Sequence, residues 1–292
     1  MKRAILHVAL AMAFVMGAPT HVVAQAPLPT DAPQVQEPVE PAQAMRDFVR
    51  DISKYARRFN RGFSIITQGG LELLEKIDPV DTTRRSSATT YMRSIDGINI
   101  QGLNFHLPEE GKDEIITDKK ILANMLRLAN LGKQRGLKVF VMDFGANVKT
   151  IQESYKLNLA QGFVPFAAKR AGSDYLFDEI PTFPLRPTNE NPKNMVGLKG
   201  VQNFLYLNDS SRYDRQQDFV LALSNTNFDA IVVDVFHRGR TPFSKAAVRG
   251  MKFKKLGARR LVFAYMNIGA AENYRYYWKD NWQEGAPRFI TA

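Results

Sequence analysis

The sequence predicts an α/β fold in which parallel strands are covered by crossover helices. It holds seven strand candidates, one fewer than a closed (β/α)8 barrel requires. Three observations carry this. Apolar, β-branched runs alternate with helix-period segments from Met45 onward. The run Leu261 to Tyr265 is apolar at consecutive positions, as in a strand buried on both faces. The long helical segments also carry start and stop residues: Asp118 and Ser244 as N-caps, Gly136 and Gly257 as terminators.

In chain order, a helix over Met45–Phe59 leads to a strand at Phe63–Gln68. Gly69-Gly70 behind it reads as a turn. A second strand covers Ile95–Gln101. An amphipathic helix from Asp118 to Gln134 feeds a strand at Lys138–Asp143. A helix over Val148–Ala160 then precedes a strand at Gly162–Ala167. Pro181, Pro184, Pro187 and Pro192 mark a connection. Beyond it come a strand at Asn203–Leu207, a helix over Asp214–Leu223 and a strand at Asp229–Val235. The last pair is a helix from Ser244 to Leu256 and a strand at Arg260–Met266. No internal repeat is evident beyond the βα unit.

The N-terminus reads as an export signal over residues 1–26. Lys2 and Arg3 form its positive region, Ala4 to Gly17 its apolar core, and Ala24-Gln25-Ala26 a cleavage site. The expected destination is periplasm or medium. Residues 27–43, with five prolines, read as an extended linker, and residues 44–292 as one barrel domain. No apolar run reaches the length of a membrane span.

Composition narrows the chemistry. With zero cysteines there is neither a disulfide framework nor a thiolate metal site. Past the signal only His106 and His237 remain, so no metal centre is expected. No phosphate loop, dinucleotide fingerprint or nucleophile elbow is present, and no cofactor is expected. The formal charge is +11. The basic cluster Arg249, Lys252, Lys254, Lys255, Arg259, Arg260 reads as a solvated helix face, because Phe253 and Leu256 intersperse at helical spacing. No nucleic-acid motif accompanies it. His237, with Arg238 and Arg240, reads as a surface loop, with anion binding as the other reading.

Candidate site residues follow from position. In parallel α/β folds the reactive groups gather at the C-terminal ends of strands. Asp143, Asp234 and Glu272 lie there or just beyond, and Gln68 and Gln101 close their strands similarly. Capping a helix or pairing with arginine is the structural reading of such acids. Past Gly269 the chain carries Glu272, Tyr274, Arg275, Tyr276, Tyr277 and Trp278. Aromatic rings beside a carboxylate and a guanidinium suit a sugar, whose C–H faces pack on rings while its hydroxyls need polar partners. A packed aromatic helix face fits the same residues.

Six motifs carry a resemblance. Residues 263–278, FAYMNIGAAENYRYYW, resemble A-Y-x-S-I-G-E-A-E-D-Y-R-Y-Y-W. Residues 63–74, FSIITQGGLELL, resemble F-x-I-I-P-Q-N-G-x-E-L. Residues 95–105, IDGINIQGLNF, resemble I-D-G-x-G-x-E-D-L-F-Y. Residues 141–144 match V-x-D-Y, and residues 203–207 with 228–234 match N-F-L-Y-L and Y-D-L-x-I-x-D. These patterns belong to the endo-α-1,4-polygalactosaminidase family, glycoside hydrolase family 114. The resemblance covers nearly all of residues 45–292.

It implies a TIM (β/α)8-type barrel of permuted strand order and hydrolysis of a galactosamine-containing polysaccharide by two carboxylates. It also implies substrate contacts at Gln68, Tyr265, Tyr274, Arg275, Tyr277 and Trp278. The family's catalytic glutamate falls on Gln101, which cannot shuttle a proton, and its last strand, with the second catalytic acid, has no counterpart before Ala292. The expectation is therefore a barrel one strand short, with edges open to self-association. Asp143, Asp234 or Glu272 would replace the missing acids in an active hydrolase. The other expectations are a polysaccharide-binding envelope protein without turnover, or a shortened remnant of the enzyme.

Overall fold

The computed structural model describes residues 40–106, 115–169, 176–273 and 275–287. The export signal and most of the linker lie outside the described residues. Among the described residues, Ala42–Met266 forms one compact unit, and the segment that opens at Asn267 belongs to another.

Within the larger unit, seven parallel strands form two sheets. The first is built from β1 (Ile66–Gln68), β2 (Gly97–Gln101), β3 (Lys138–Phe144) and β4 (Val164–Ala168), in that spatial order. The second contains β5 (Phe204–Leu207), β6 (Ala230–Asp234) and β7 (Leu261–Tyr265), with β6 in the middle. Register is continuous, for example Gly97 beside Lys138, Phe140 beside Val164 and Asp234 beside Tyr265. The architecture is a mixed α/β fold on parallel sheets. Among the described residues, β1 and β7 each pair on one side only.

Helices α1 (Pro41–Phe59), α2 (Lys119–Gln134), α3 (Val148–Ala160), α4 (Gln216–Ser224) and α5 (Lys245–Met251) connect or precede these strands. Residues 41–43, read as linker, belong to α1. The capping residues act as expected. Asp118 accepts from the amides of Lys120 and Ile121, and Ser244 from that of Ala247. Gly69 and Gly70 both take positive φ, a conformation that lets the chain turn sharply after β1. No helix among the described residues is long and apolar enough to cross a membrane.

Strand periodicity sorts side chains into two cores. Phe140, Met142 and Phe144 of β3 join Phe166, Phe204 and Tyr206 in one cluster between the sheets. Val139 and Val141 point the other way and meet Ile98, Ile100 and Leu74 beneath the helices. The two sheets meet through rings: Phe166 and Phe204 lie 5.6 Å apart, and Phe140 and Phe204 5.0 Å.

One expected element differs. The helix read over Ser244–Leu256 stops at Met251, and Phe253 instead bridges Arg259 in antiparallel pairing. Lys254 is thereby drawn inside, where its ammonium meets Asp229 at 2.6 Å with both side chains almost wholly buried. Arg260 is buried too, donating to the carbonyls of Leu223, Thr226 and Phe253 and to the Thr226 hydroxyl. Desolvation lowers its pKa to about 10. The basic cluster is therefore not one solvated face. Two of its members are internal joints between strand, helix and turn.

Candidate functional site

At the C-terminal ends of the strands, polar side chains replace the apolar ones of the inner core. Gln68 closes β1, and its Oε1 accepts two hydrogen bonds, from Asn99 Nδ2 at 3.0 Å and from the Tyr206 hydroxyl at 2.9 Å. Asn99 sits mid-strand in β2 at 6% exposure, and its Oδ1 is buried with no hydrogen-bond partner. A buried orphan acceptor costs about 1–3 kcal/mol, a cost that a donor from a bound water or ligand offsets. Gln101 lies two residues along the same strand and so shares the face of Asn99.

The cluster continues across the second sheet. The Tyr206 ring meets that of Tyr265 edge-on at 6.3 Å. Tyr265 stands in register beside Asp234, whose Oδ1 accepts from the Phe236 amide at 2.9 Å. Burial first, then the negative charges that Tyr265 and Asp234 can carry, push the Tyr206 hydroxyl far above the ordinary tyrosine range. Tyr206 is held neutral and acts only as a hydrogen-bonding group.

Asp143 does not join this cluster. Its neighbours in β3, Met142 and Phe144, face the inner core, so Asp143 faces the helices. There its two oxygens accept from the Asn104 amide at 3.0 Å and side chain at 3.1 Å. They also accept from Ser154 at 2.7 Å, Asn158 at 2.9 Å and the Phe105 amide at 3.4 Å. It is fully buried. A carboxylate saturated by internal donors ties β3, α3 and the loop after β2 together, and has no oxygen left for a substrate. The sequence offers Asp143 as a catalytic acid, and the structure sets it on the helix side of β3, away from the inner cluster.

His237 also departs from its reading as a surface group. It is buried, its Nε2 bonds the Tyr213 carbonyl oxygen at 2.9 Å, and its ring lies edge-on to Phe243.

The remaining candidates lie in the smaller unit. Glu272 pairs through Oε2 with Arg275 Nε, and its amide donates to the Tyr277 hydroxyl at 3.0 Å. Tyr277 meets Tyr276 edge-on at 5.6 Å, and Trp278 meets Trp282 likewise at 5.4 Å. Tyr276 is 73% exposed. Tyr274 lies outside the described residues. The structure thus brings together Gln68, Gln101, Tyr265 and Asp234 on one inner face, and groups Glu272, Arg275, Tyr277 and Trp278 in a separate short segment.

No family model matches the chain. Similarity to other proteins is partial. Over 110 residues it is 38% identical to an uncharacterized protein of Deinococcus radiodurans, covering 37% of this chain and 31% of that protein. An uncharacterized protein of Methanocaldococcus jannaschii is 28% identical over 112 residues, 35% of this chain and 32% of the relative. One of Thermotoga maritima is 30% identical over 84 residues, 28% of this chain and 25% of the relative. The match therefore spans between a quarter and a third of each relative's length.

Two members of the inner cluster, Asn99 and Tyr206, were not singled out from sequence. Asn99 did carry a signal, since an amide inside the run Ile98 to Ile100 interrupts a strand otherwise buried on both faces. Tyr206 sits between Leu205 and Leu207 and reads as core until its hydroxyl finds Gln68.

Proposed function

We propose that this chain is an exported, glycoside-hydrolase-like protein that binds a galactosamine-containing exopolysaccharide on a barrel-type scaffold and does not cleave it. One observation carries the reading: the buried, unpartnered Oδ1 of Asn99, set among Gln68, Tyr206, Tyr265 and Asp234. A sugar hydroxyl or ammonium supplies the donor that this acceptor lacks, and Asp234 offers a negative neighbour for an ammonium. The motif resemblance supplies the sugar class, and residues 1–26 the export route.

Binding without turnover follows from the acids. Two-carboxylate glycoside hydrolysis needs an acid and a base or nucleophile flanking one bond. Asp143 is committed to the helix side, Gln101 has no proton to exchange, and Glu272 is engaged by Arg275. Asp234 is left as the candidate carboxylate on the inner face.

The test is calorimetric titration of the mature protein with α-1,4-linked galactosamine oligosaccharides, alongside a reducing-end assay. Saturable binding is expected without release of reducing ends between pH 4 and 8. Asn99→Ala should weaken binding about tenfold while the protein stays folded. Absence of binding would reject the proposal. Release of reducing ends that Asp234→Asn abolishes would replace it with hydrolysis.

A further inference from the structure

At the opposite ends of the strands lies a cleft of about 460 Å³, where β2 and β3 begin. Its walls carry Arg93, Arg135, Lys138 and Lys199, with Leu198 as an apolar floor and Asp96 as a carboxylate. That carboxylate is already answered: Asp96 Oδ2 accepts from Arg57 at 2.9 Å and from the Ile65 amide at 2.7 Å. None of the four wall cations forms an ion pair among the described residues. Arg135 reaches Ser87 Oγ at 3.3 Å, and Lys138 Nζ reaches the Lys199 carbonyl oxygen at 3.3 Å.

Four like charges around one concavity give it a positive potential that attracts anions. The C-terminus of α2, which ends beside Arg135, offsets one of them. Arg93, Lys138 and Lys199 have no such helix end of comparable length behind them. Lys138 is half-buried, and desolvation lowers its pKa below the ordinary lysine value, an effect that the Asp229 carboxylate offsets only in part. The cleft is the size of a site for one small solute, and the chain's formal charge of +11 favours anions at its surface.

We propose that this cleft binds a phosphate group, with Arg93, Arg135, Lys138 and Lys199 as its ligands. Guanidinium forks and lysine point charges are the donors that phosphate oxygens take up, and the half-buried position of Lys138 strengthens its share. The site is separate from the sugar cluster and independent of the function proposed for it.

Calorimetry on the full mature chain in low salt tests this, with inorganic pyrophosphate and glucose 6-phosphate as separate probes. Saturable binding of one equivalent is expected, weakening as salt rises. Tighter binding of the sugar phosphate assigns the site to phosphate esters, and tighter pyrophosphate binding assigns it to free phosphates. Lys138→Gln should weaken binding about tenfold. Lys199→Glu, a reversal at an exposed position, should do at least as much, and decides the matter should Lys138→Gln fail to fold. Lys245→Gln, away from the cleft, should leave binding unchanged. Failure of both probes to bind in low salt overturns the proposal, as does equal affinity of wild type and Lys199→Glu.

Discussion

Tyr206 donates its hydroxyl hydrogen to Gln68 Oε1 at 2.9 Å, joining β5 of one sheet to β1 of the other across 138 positions of sequence. Tyr206 is buried and Gln68 half-buried, and the same oxygen also accepts from Asn99. One amide oxygen therefore couples three strands.

Tyr206→Phe keeps the ring against Phe177 and Tyr265 and removes only the donor. The expected loss is about 1 kcal/mol in urea unfolding, because Gln68 retains its bond from Asn99. A loss above about 3 kcal/mol would mean that the ring itself had moved.

Burial raises the hydroxyls of Tyr155 and Tyr206 well above the ordinary tyrosine value. Their folded pKa exceeds the unfolded one, so the stability they contribute is complete below about pH 10 and is lost as pH rises beyond it. Absorbance at 295 nm should show these two groups ionising only together with unfolding, and replacing both with Phe should move the alkaline midpoint upward. Ionisation of all tyrosines before any loss of circular dichroism would contradict this.

Asp143→Ala strands at least four buried donors at once. A cost of about 3 kcal/mol or more is expected, with Asp143→Asn milder because one oxygen survives. Oligosaccharide affinity, measured on the protein that remains folded, should not change. A stable Asp143→Asn protein without sugar binding would return this residue to the site.

Asp229 sits between Lys254, Asn191 and the Gln202 amide, with Arg260 close enough for its charge to be felt. Asp229→Ala leaves the Lys254 ammonium buried without its carboxylate and should cost about 3–5 kcal/mol. Adding Lys254→Met should recover part of that loss, which thermal unfolding of the single and double variants would show. Additive losses would mean that the pair is uncoupled.

Glu75 receives Arg127 through two bonds at 2.6 and 2.9 Å, and Arg85 at 3.0 Å. The Arg127 hydrogen bonds, opposed by desolvation and reinforced by Arg85, hold its carboxyl below the ordinary glutamate value. Its contribution is therefore present above about pH 4.3 and is lost as pH falls through the lower folded value. Acid titration of Arg127→Ala should show a shallower loss of stability over that range than wild type. Superimposable acid limbs would exclude this linkage.

Local signals carried much of the architecture. The helix over Val148–Ala160 has the bounds its pattern implies, and Asp118 and Ser244 cap where their short oxygens suggest. What escaped is non-local. Phe253 and Leu256 continue a helical spacing past Met251, yet Asp229, 25 residues earlier, draws Lys254 inward and turns the chain. Asp143 closes an apolar strand like a catalytic acid, but its donors come from 39 residues before it and 11 to 15 after it. Which face it occupies depends on the parity of β3, and a terminal position alone does not reveal that.

Arg260 grips oxygens that carry no formal charge, spread over two separate pieces of chain. Its planar, forked head works there as a carpenter's bracket would, by angle and reach more than by attraction between opposites. A lysine in its place keeps the positive charge yet cannot span the same four oxygens. Dissolved ions, which loosen exposed couples such as Lys54 with Asp51, have little purchase on such a fitting. The corner where β7 begins should consequently outlast the surface pairs in concentrated brine.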